Sequence, residues 1–303
     1  MLLKIKLGKL SLDSPIIMVS GTFGYGTELA NLINYKHIGA ITTKTITFNQ
    51  WDGNPQPRLL ETSSGLINSI GLQNPGLHNF IRKNIPEFKK LKPKIIVSFS
   101  GRNEKEIAKL TENLVAQKEI DAIEFNISCP NFQKTENMIS QDSSFTYKMV
   151  RLVKSKSGKM PLVVKLSPNV TDITEIALAS EEGGADILSL INTVKGMGIN
   201  IKERKIVLGG LSGPAIKPIG LRAVYETYKK IKIPIIGIGG ICSGKDALEY
   251  LFAGATAVGI GSCLFSNPLI VDEIYGFLKN YLKENNIRKL DKIVGSMNKK
   301  NSY

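Results

Sequence analysis

The chain is short of the residues that carry much familiar chemistry. Its 303 residues include two histidines, three cysteines and one tryptophan. His37 and His78 stand far apart, with no carboxylate or cysteine at ligand spacing. Each therefore reads as a surface or helix-end residue and not as a metal ligand. Cysteines at 129, 242 and 263 are odd in number and follow no framework spacing, which argues against a disulfide scaffold. No apolar run reaches the roughly eighteen residues that cross a bilayer. The opening stretch MLLKIKLGKL has lysines every few residues, which breaks a signal-peptide core, so a cytoplasmic protein is expected. Arginine is scarce beside lysine, although nucleic-acid recognition favours arginine forks. The net charge of +14 is spread along the whole length. A lysine-favouring composition accounts for it, and neither nucleic acid nor membrane is expected as a partner.

What is present is a repeated alternation. Nearly continuous apolar runs fall at 15–20, 39–44, 94–100, 122–127, 161–167, 186–192, 234–240 and 256–261. Strands buried on both faces look like this. Between them lie residues at helical spacing: Ile107, Leu110 and Leu114; Leu221, Val224 and Tyr228; Ile270, Ile274 and Phe277. Thr171 and Ser243 occupy positions suited to helix N-caps. About eight strand–helix units in one chain predict a TIM (β/α)8 barrel. The competing doubly wound sheet usually has fewer strands and, with a dinucleotide, a G-x-G-x-x-G fingerprint, which is absent. Residues 4–13 predict an opening hairpin that plugs the bottom of the barrel. The connections 45–75 and 193–216 are too long for plain turns, and such loops usually carry function. A single domain over 1–303 is expected, with a C-terminal helix and a frayed basic tail in 285–303.

In this fold the chemistry gathers at the C-terminal ends of the strands. Those ends carry Ser20, Lys44-Thr45, Asn126, Lys165 and Asn192-Thr193. The last two runs end in GIGG and GIGS. Glycines there let backbone N–H groups approach an anion, which makes Gly239, Gly240, Gly261 and Ser262 candidates for a phosphate; a tight turn needs the same residues. Lys44 and Lys165 can act as point charges or, deprotonated, as Schiff-base nucleophiles. Asn68, Asn126, Asn131 and Asn192 offer donors and acceptors suited to a planar ligand with amide and carboxylate edges. With no histidine at the mouth, Cys129 in NISCPN remains as the proton-transfer group, held extended by the proline that follows. Cys242 and Cys263 read as packing residues beside the phosphate loops.

Nine ordered stretches, SGTFGYG, TTKTIT, GNPQPRLLETSSGLINSIGLQNPG, NISCPN, VVKLSPN, INTVKGM, GGLSGPAIKP, GIGGI and GIGSCLF, run along nearly the whole chain. Through them the sequence resembles the catalytic subunit of class 1 dihydroorotate dehydrogenases, most of all the NAD-linked, heteromeric class 1B branch. The resemblance implies an FMN-dependent oxidation of dihydroorotate to orotate in pyrimidine synthesis. It implies Cys129 as base, taking a proton from the ring carbon beside the amide carbonyl while a hydride leaves the adjacent carbon for the flavin. Lys44 is implied to touch substrate and flavin. Asn68, Ser69, Ile70, Gly71, Leu72, Asn126, Asn192 and Thr193 are implied to hold substrate, with Asn131 a fainter candidate. Asn126 is also implied at the flavin, with Lys165 near its pyrimidine end. Ser20, Thr45, Ile191 and Gly213 are implied along it, and the two glycine loops on its phosphate. Ser98 stands at a flavin position where the family usually has Asn, and a hydroxyl cannot make both amide contacts.

The chain has no dinucleotide fingerprint and too few cysteines for an iron–sulfur cluster. If NAD is the final acceptor, a partner subunit must carry FAD and the cluster, alongside an expected homodimer of this chain. Three alternatives stay open at this stage: a self-sufficient fumarate-linked relative, a non-redox Schiff-base lyase, and a basic nucleic-acid scaffold.

Overall fold

The computed structural model describes residues 2–29, 32–128 and 139–298. The strands, in chain order, are β1 (Ile5–Leu7), β2 (Leu10–Leu12), β3 (Ile16–Met18), β4 (Ala40–Thr42), β5 (Leu59–Thr62), β6 (Gly65–Asn68) and β7 (Lys94–Phe99). Then follow β8 (Ala122–Asn126), β9 (Leu162–Lys165), β10 (Ile187–Leu190), β11 (Val194–Asn200), β12 (Lys205–Ser212), β13 (Ile235–Ile238) and β14 (Ala257–Ile260). Eight of them close a parallel barrel in the order β10-β13-β14-β3-β4-β7-β8-β9. These eight coincide with the eight apolar runs of the sequence. Every residue of β3, β4, β8, β9, β10, β13 and β14 is buried.

The helices are α1 (Gly76–Lys83), α2 (Ile85–Phe88), α3 (Glu104–Val115), α4 (Ser143–Ser157), α5 (Ile173–Glu182), α6 (Lys217–Tyr228), α7 (Gly244–Ala253), α8 (Cys263–Ser266) and α9 (Ile270–Glu284). Ile107, Leu110 and Leu114 of α3, and Ile270 and Ile274 of α9, are buried as their spacing requires. Ser243 caps α7: its hydroxyl accepts from Asp246 N at 3.1 Å. Asp246 Oδ2 in turn accepts from Cys242 N at 3.0 Å, so two orphan N–H groups of the helix start are satisfied.

Three expectations change. The cap of α5 is Asp172, which accepts from Thr174 N at 2.8 Å, and not Thr171; a carboxylate is the better acceptor at that position. The crossover from β3 to β4 holds only a 3-10 turn, Tyr35–His37, among the described residues. The stretch from Asn285 to Asn298 is not a C-terminal helix either. It holds 3-10 turns at Leu290–Lys292 and Ser296–Asn298, and Leu290 is fully buried against the barrel's outer shell.

The β1–β2 hairpin lies at the N-terminal end of the barrel. Gly8 in its turn sits against Asp186 O and the Ile187 side chain, where β10 begins, and Leu7 and Leu12 are buried. The two long connections are not irregular loops. They pair as a four-stranded antiparallel sheet, β11-β12-β6-β5, beside the mouth. One face packs Ile67 and Val207, and Gly198 there admits Leu60 so closely that a Cβ would lie 2.1 Å from Leu60 Cδ2. The other face leaves Met197, Ile199, Ile206 and Leu208 exposed. No helix among the described residues is long and apolar enough to cross a membrane.

Candidate active site

The C-terminal rim of the barrel brings the polar strand ends together. Ser20 Oγ lies 3.1 Å from Thr45 Oγ1, and Thr45 Oγ1 lies 2.9 Å from Ser98 Oγ. Asn126 Nδ2 donates to the same Thr45 Oγ1 at 3.3 Å. Four elements thus converge on one hydroxyl, and Thr45, Ser98 and Asn126 are all buried. Ser98 holds its place through a hydroxyl bond to Thr45, so the short side chain is part of a network and not merely a lost amide.

Lys165 ends β9 at the same mouth and is Asn126's register partner across the β8–β9 ladder. It is only 5% exposed, and among the described residues its ammonium has no hydrogen-bond or ion-pair partner. A charged donor held by a buried stem at the mouth, with no acceptor of its own, marks a place where an acceptor belongs. Lys44 is half-buried. Its pKa is held below the ordinary lysine range, mainly by burial and then by the nearby Arg58 guanidinium, with Glu28 opposing.

The glycine loops form a second group. The backbone N–H groups of Gly240, Ile241, Gly261 and Ser262 have no hydrogen-bond partner among the described residues. Gly240 adopts φ +67°, and a Cβ there would lie 2.8 Å from Gly213 O and from Lys217 N. The loop after β13 and the turn at Gly213 therefore touch, and only glycine allows it. Gly239 lies against Ile191, whose N–H donates to Ile238 O at 3.0 Å.

The side sheet supplies a third group. Asn68 Nδ2 donates to Gly210 O at 3.2 Å, and the Thr193 side chain fills the space where a Cβ of Gly210 would stand. Asn192 Oδ1 accepts from Thr193 N at 2.8 Å. Ser69 is fixed by Asn54 Nδ2 at 2.9 Å, its N–H donates to Arg58 O at 2.8 Å, and Ile70 O accepts from Asn54 N at 3.0 Å. Gly71 and Leu72 turn with φ +72° and +55°. Arg58 thus links this segment to Lys44. Cys129 and Asn131 lie outside the described residues. The residue before Cys129 is anchored at the mouth: Ser128 N donates to Asn126 Oδ1 at 3.2 Å, and Ser128 Oγ donates to Lys165 O at 3.3 Å.

A family model described as Dihydroorotate dehydrogenase matches residues 2–282. The chain belongs to that family. The catalytic subunit of dihydroorotate dehydrogenase B (NAD(+)) from Caldicellulosiruptor bescii is 46% identical over 300 residues, 98% of this chain and 99% of that one. The proteins of the same name from Desulforamulus reducens and Geobacter metallireducens are 46% identical over 298 residues and 44% over 299, each covering 97% of this chain and 98% of the relative.

This dihydroorotate dehydrogenase family member also carries a buried acid that sequence reasoning missed. Glu124, 2% exposed, accepts from Ser189 Oγ at 3.0 Å through Oε2, while Oε1 has no partner. It lies two residues before Asn126 on the same strand and thus on the same face. The signal was available in the run AIEFNI, where one charge interrupts an apolar strand.

Proposed function

We propose that the chain is the catalytic subunit of an NAD-linked dihydroorotate dehydrogenase that oxidises dihydroorotate to orotate on FMN, as a step of pyrimidine synthesis. The observation that carries the reading is the pairing, at one barrel mouth, of a partnerless ammonium on a buried stem with two loops of unpaired backbone N–H groups. A flavin mononucleotide presents a polar pyrimidine ring and a phosphate, so it fits both features. Lys165 faces the ring, Gly239, Gly240, Gly261 and Ser262 hold the phosphate, and Ser20, Lys44, Thr45, Ser98, Asn126, Ile191 and Gly213 line the remainder. FMN, when bound, supplies a two-electron acceptor for the hydride that leaves dihydroorotate.

The protein's own residues do the rest. Asn68 through Leu72, Asn126, Asn192 and Thr193 orient the substrate through amide and backbone groups. Lys44, with its charge partly desolvated, offers a strong donor to the substrate carboxylate. Cys129 takes the proton from the ring carbon next to the amide carbonyl, the contribution expected of a positioned general base. Among the described residues of the three groups no histidine is present to compete for that role. FAD and an iron–sulfur cluster belong to a partner subunit, which joins a homodimer of this chain in the cytoplasm and passes the electrons on to NAD.

An anaerobic spectrum tests the reading. The FMN-loaded chain bleaches on adding dihydroorotate, and Cys129→Ser slows that bleaching by about a hundredfold or more while the flavin stays bound. A chain that binds no FMN, or a Cys129→Ser variant that bleaches at the parent rate, overturns it. Rapid turnover of the chain alone with fumarate overturns the partner assignment and leaves the flavin chemistry in place.

A further inference from the structure

Two cysteines sit directly behind the phosphate loops. β13 and β14 are neighbours in the barrel, with Ile238 paired to Gly259. Cys242 and Cys263 each stand four residues beyond their member of that pair, so equal lengths of chain carry them away from adjacent strands. Neighbouring strands are about 4.8 Å apart, and Cα separations of about 4.4–6.8 Å suit a disulfide. Both side chains are half-buried free thiols, and each is the neighbour that acts most strongly on the other's ionisation. Each follows a loop with free N–H groups at an interval of two residues: Gly240 before Cys242, Gly261 before Cys263.

The pair is polarised. The neighbouring Cys242 thiol holds the Cys263 thiol below its ordinary range against the effect of burial, with help from the Ser266 hydroxyl. The same contact, then burial, pushes Cys242 up. Cys263 is therefore the attacking sulfur and Cys242 the resolving one.

We propose that Cys242 and Cys263 form a reversible dithiol switch, oxidised to a disulfide by hydrogen peroxide, that ties the two phosphate loops together and weakens FMN binding. The switch rests on the assignment of those loops to the FMN phosphate. The Cys263 thiolate attacks one peroxide oxygen, giving Cys263 sulfenic acid and hydroxide, which leaves as water. The Cys242 sulfur then attacks the Cys263 sulfur and displaces hydroxide, which takes the Cys242 proton and leaves as a second water. Two thiols and one peroxide become one disulfide and two waters, and two electrons pass from sulfur to oxygen. A bond of about 2.05 Å is shorter than any thiol–thiol hydrogen bond, so it draws the loops together. Backbone donors that must reach a phosphate at about 2.7–3.2 Å tolerate such a shift poorly. By reciprocity, bound FMN resists formation of the disulfide by the same factor.

The test uses the full chain with Cys129→Ser, which leaves two thiols, and reads mass and FMN fluorescence. After peroxide the FMN-free chain loses the mass of two hydrogen atoms and yields a linked Cys242–Cys263 peptide. Its Kd for FMN rises about tenfold, the size of an ordinary coupling, and dithiothreitol restores it. Cys242→Ser abolishes both changes. Thiols that remain fully alkylatable after peroxide overturn the proposal, as does a disulfide that leaves the FMN Kd unchanged. If the reduced chain takes up no FMN, the flavin reading and the affinity claim fail together, while the mass change still decides the dithiol.

Discussion

The two sides of the barrel mouth are built on opposite principles. On one side Ser20, Thr45, Ser98 and Asn126 satisfy one another through bonds of 2.9–3.3 Å. On the other, Lys165 and the N–H groups of the two glycine loops find no partner among the described residues. The first side is finished without a ligand and shapes the cavity. The second is incomplete and names, by what it lacks, the groups a ligand must bring. Polar residues at a barrel rim are therefore not equivalent: those already bonded give the wall its shape, and those left open supply the contacts that a ligand must complete.

Substitutions can break this contrast. The largest effect is expected at Lys165→Met on the open side. Flavin reduction by dihydroorotate falls by about a hundredfold, as for removal of one charge-stabilising donor. The thermal midpoint of the FMN-free chain stays level or rises, because the methionine fills the buried stem's place and no hydrogen bond or ion pair of the ammonium is lost. A fall in that midpoint with activity intact reverses the assignment of this side. A smaller effect is expected at Thr45→Val on the finished side. Removing the shared hydroxyl leaves two buried partners, Ser98 and Asn126, and the half-buried Ser20 short, and costs about 1–3 kcal/mol of stability, read by urea unfolding without FMN.

The smallest effect sharpens the picture beneath the glycine loops. Asp246 accepts from Lys217 Nζ at 2.6 Å, Ser243 Oγ at 2.8 Å and Cys242 N at 3.0 Å. Burial pushes its carboxyl up, but these bonds together outweigh burial and hold it below the usual range. The stabilisation is fully present above the unfolded value of about 3.9 and is lost as pH falls through the lower folded value. Asp246→Asn should cost about 1 kcal/mol at neutral pH, at the small end because the pair is partly wet. The gap to the parent should close on acidification below about pH 4. A gap that stays constant with pH removes the carboxylate's role.

The barrel was legible because each of its strands is an apolar run bounded by polar residues, and burial on both faces leaves no other pattern. The side sheet was not. Gly196, Gly198, Gly209 and Gly210 interrupt its alternation, and its outer face carries Met197, Ile199 and Leu208 where water was expected to select polar residues. The two connections read as functional loops, which captured their position at the mouth and missed their pairing across 142 residues, as between Asn68 and Gly210. Strand-end residues could be named from the pleat alone. Their grouping could not, since Thr45 meets Ser98 and Asn126 only through barrel closure. Cys242 and Cys263 read as packing residues beside the phosphate loops, and both are half-buried; that the strands preceding them are barrel neighbours, twenty-one positions apart, was visible only in the register.

The hairpin turn that stops the tube against Asp186 and Ile187 also decides which way round the protein is best handled. Lys4, beside the hairpin, stands at the sealed end, and the working groups open at the other. Tethering it to a bead or sensor surface near Lys4 leaves the doorway facing solution. A small molecule meant to block it would approach from that side.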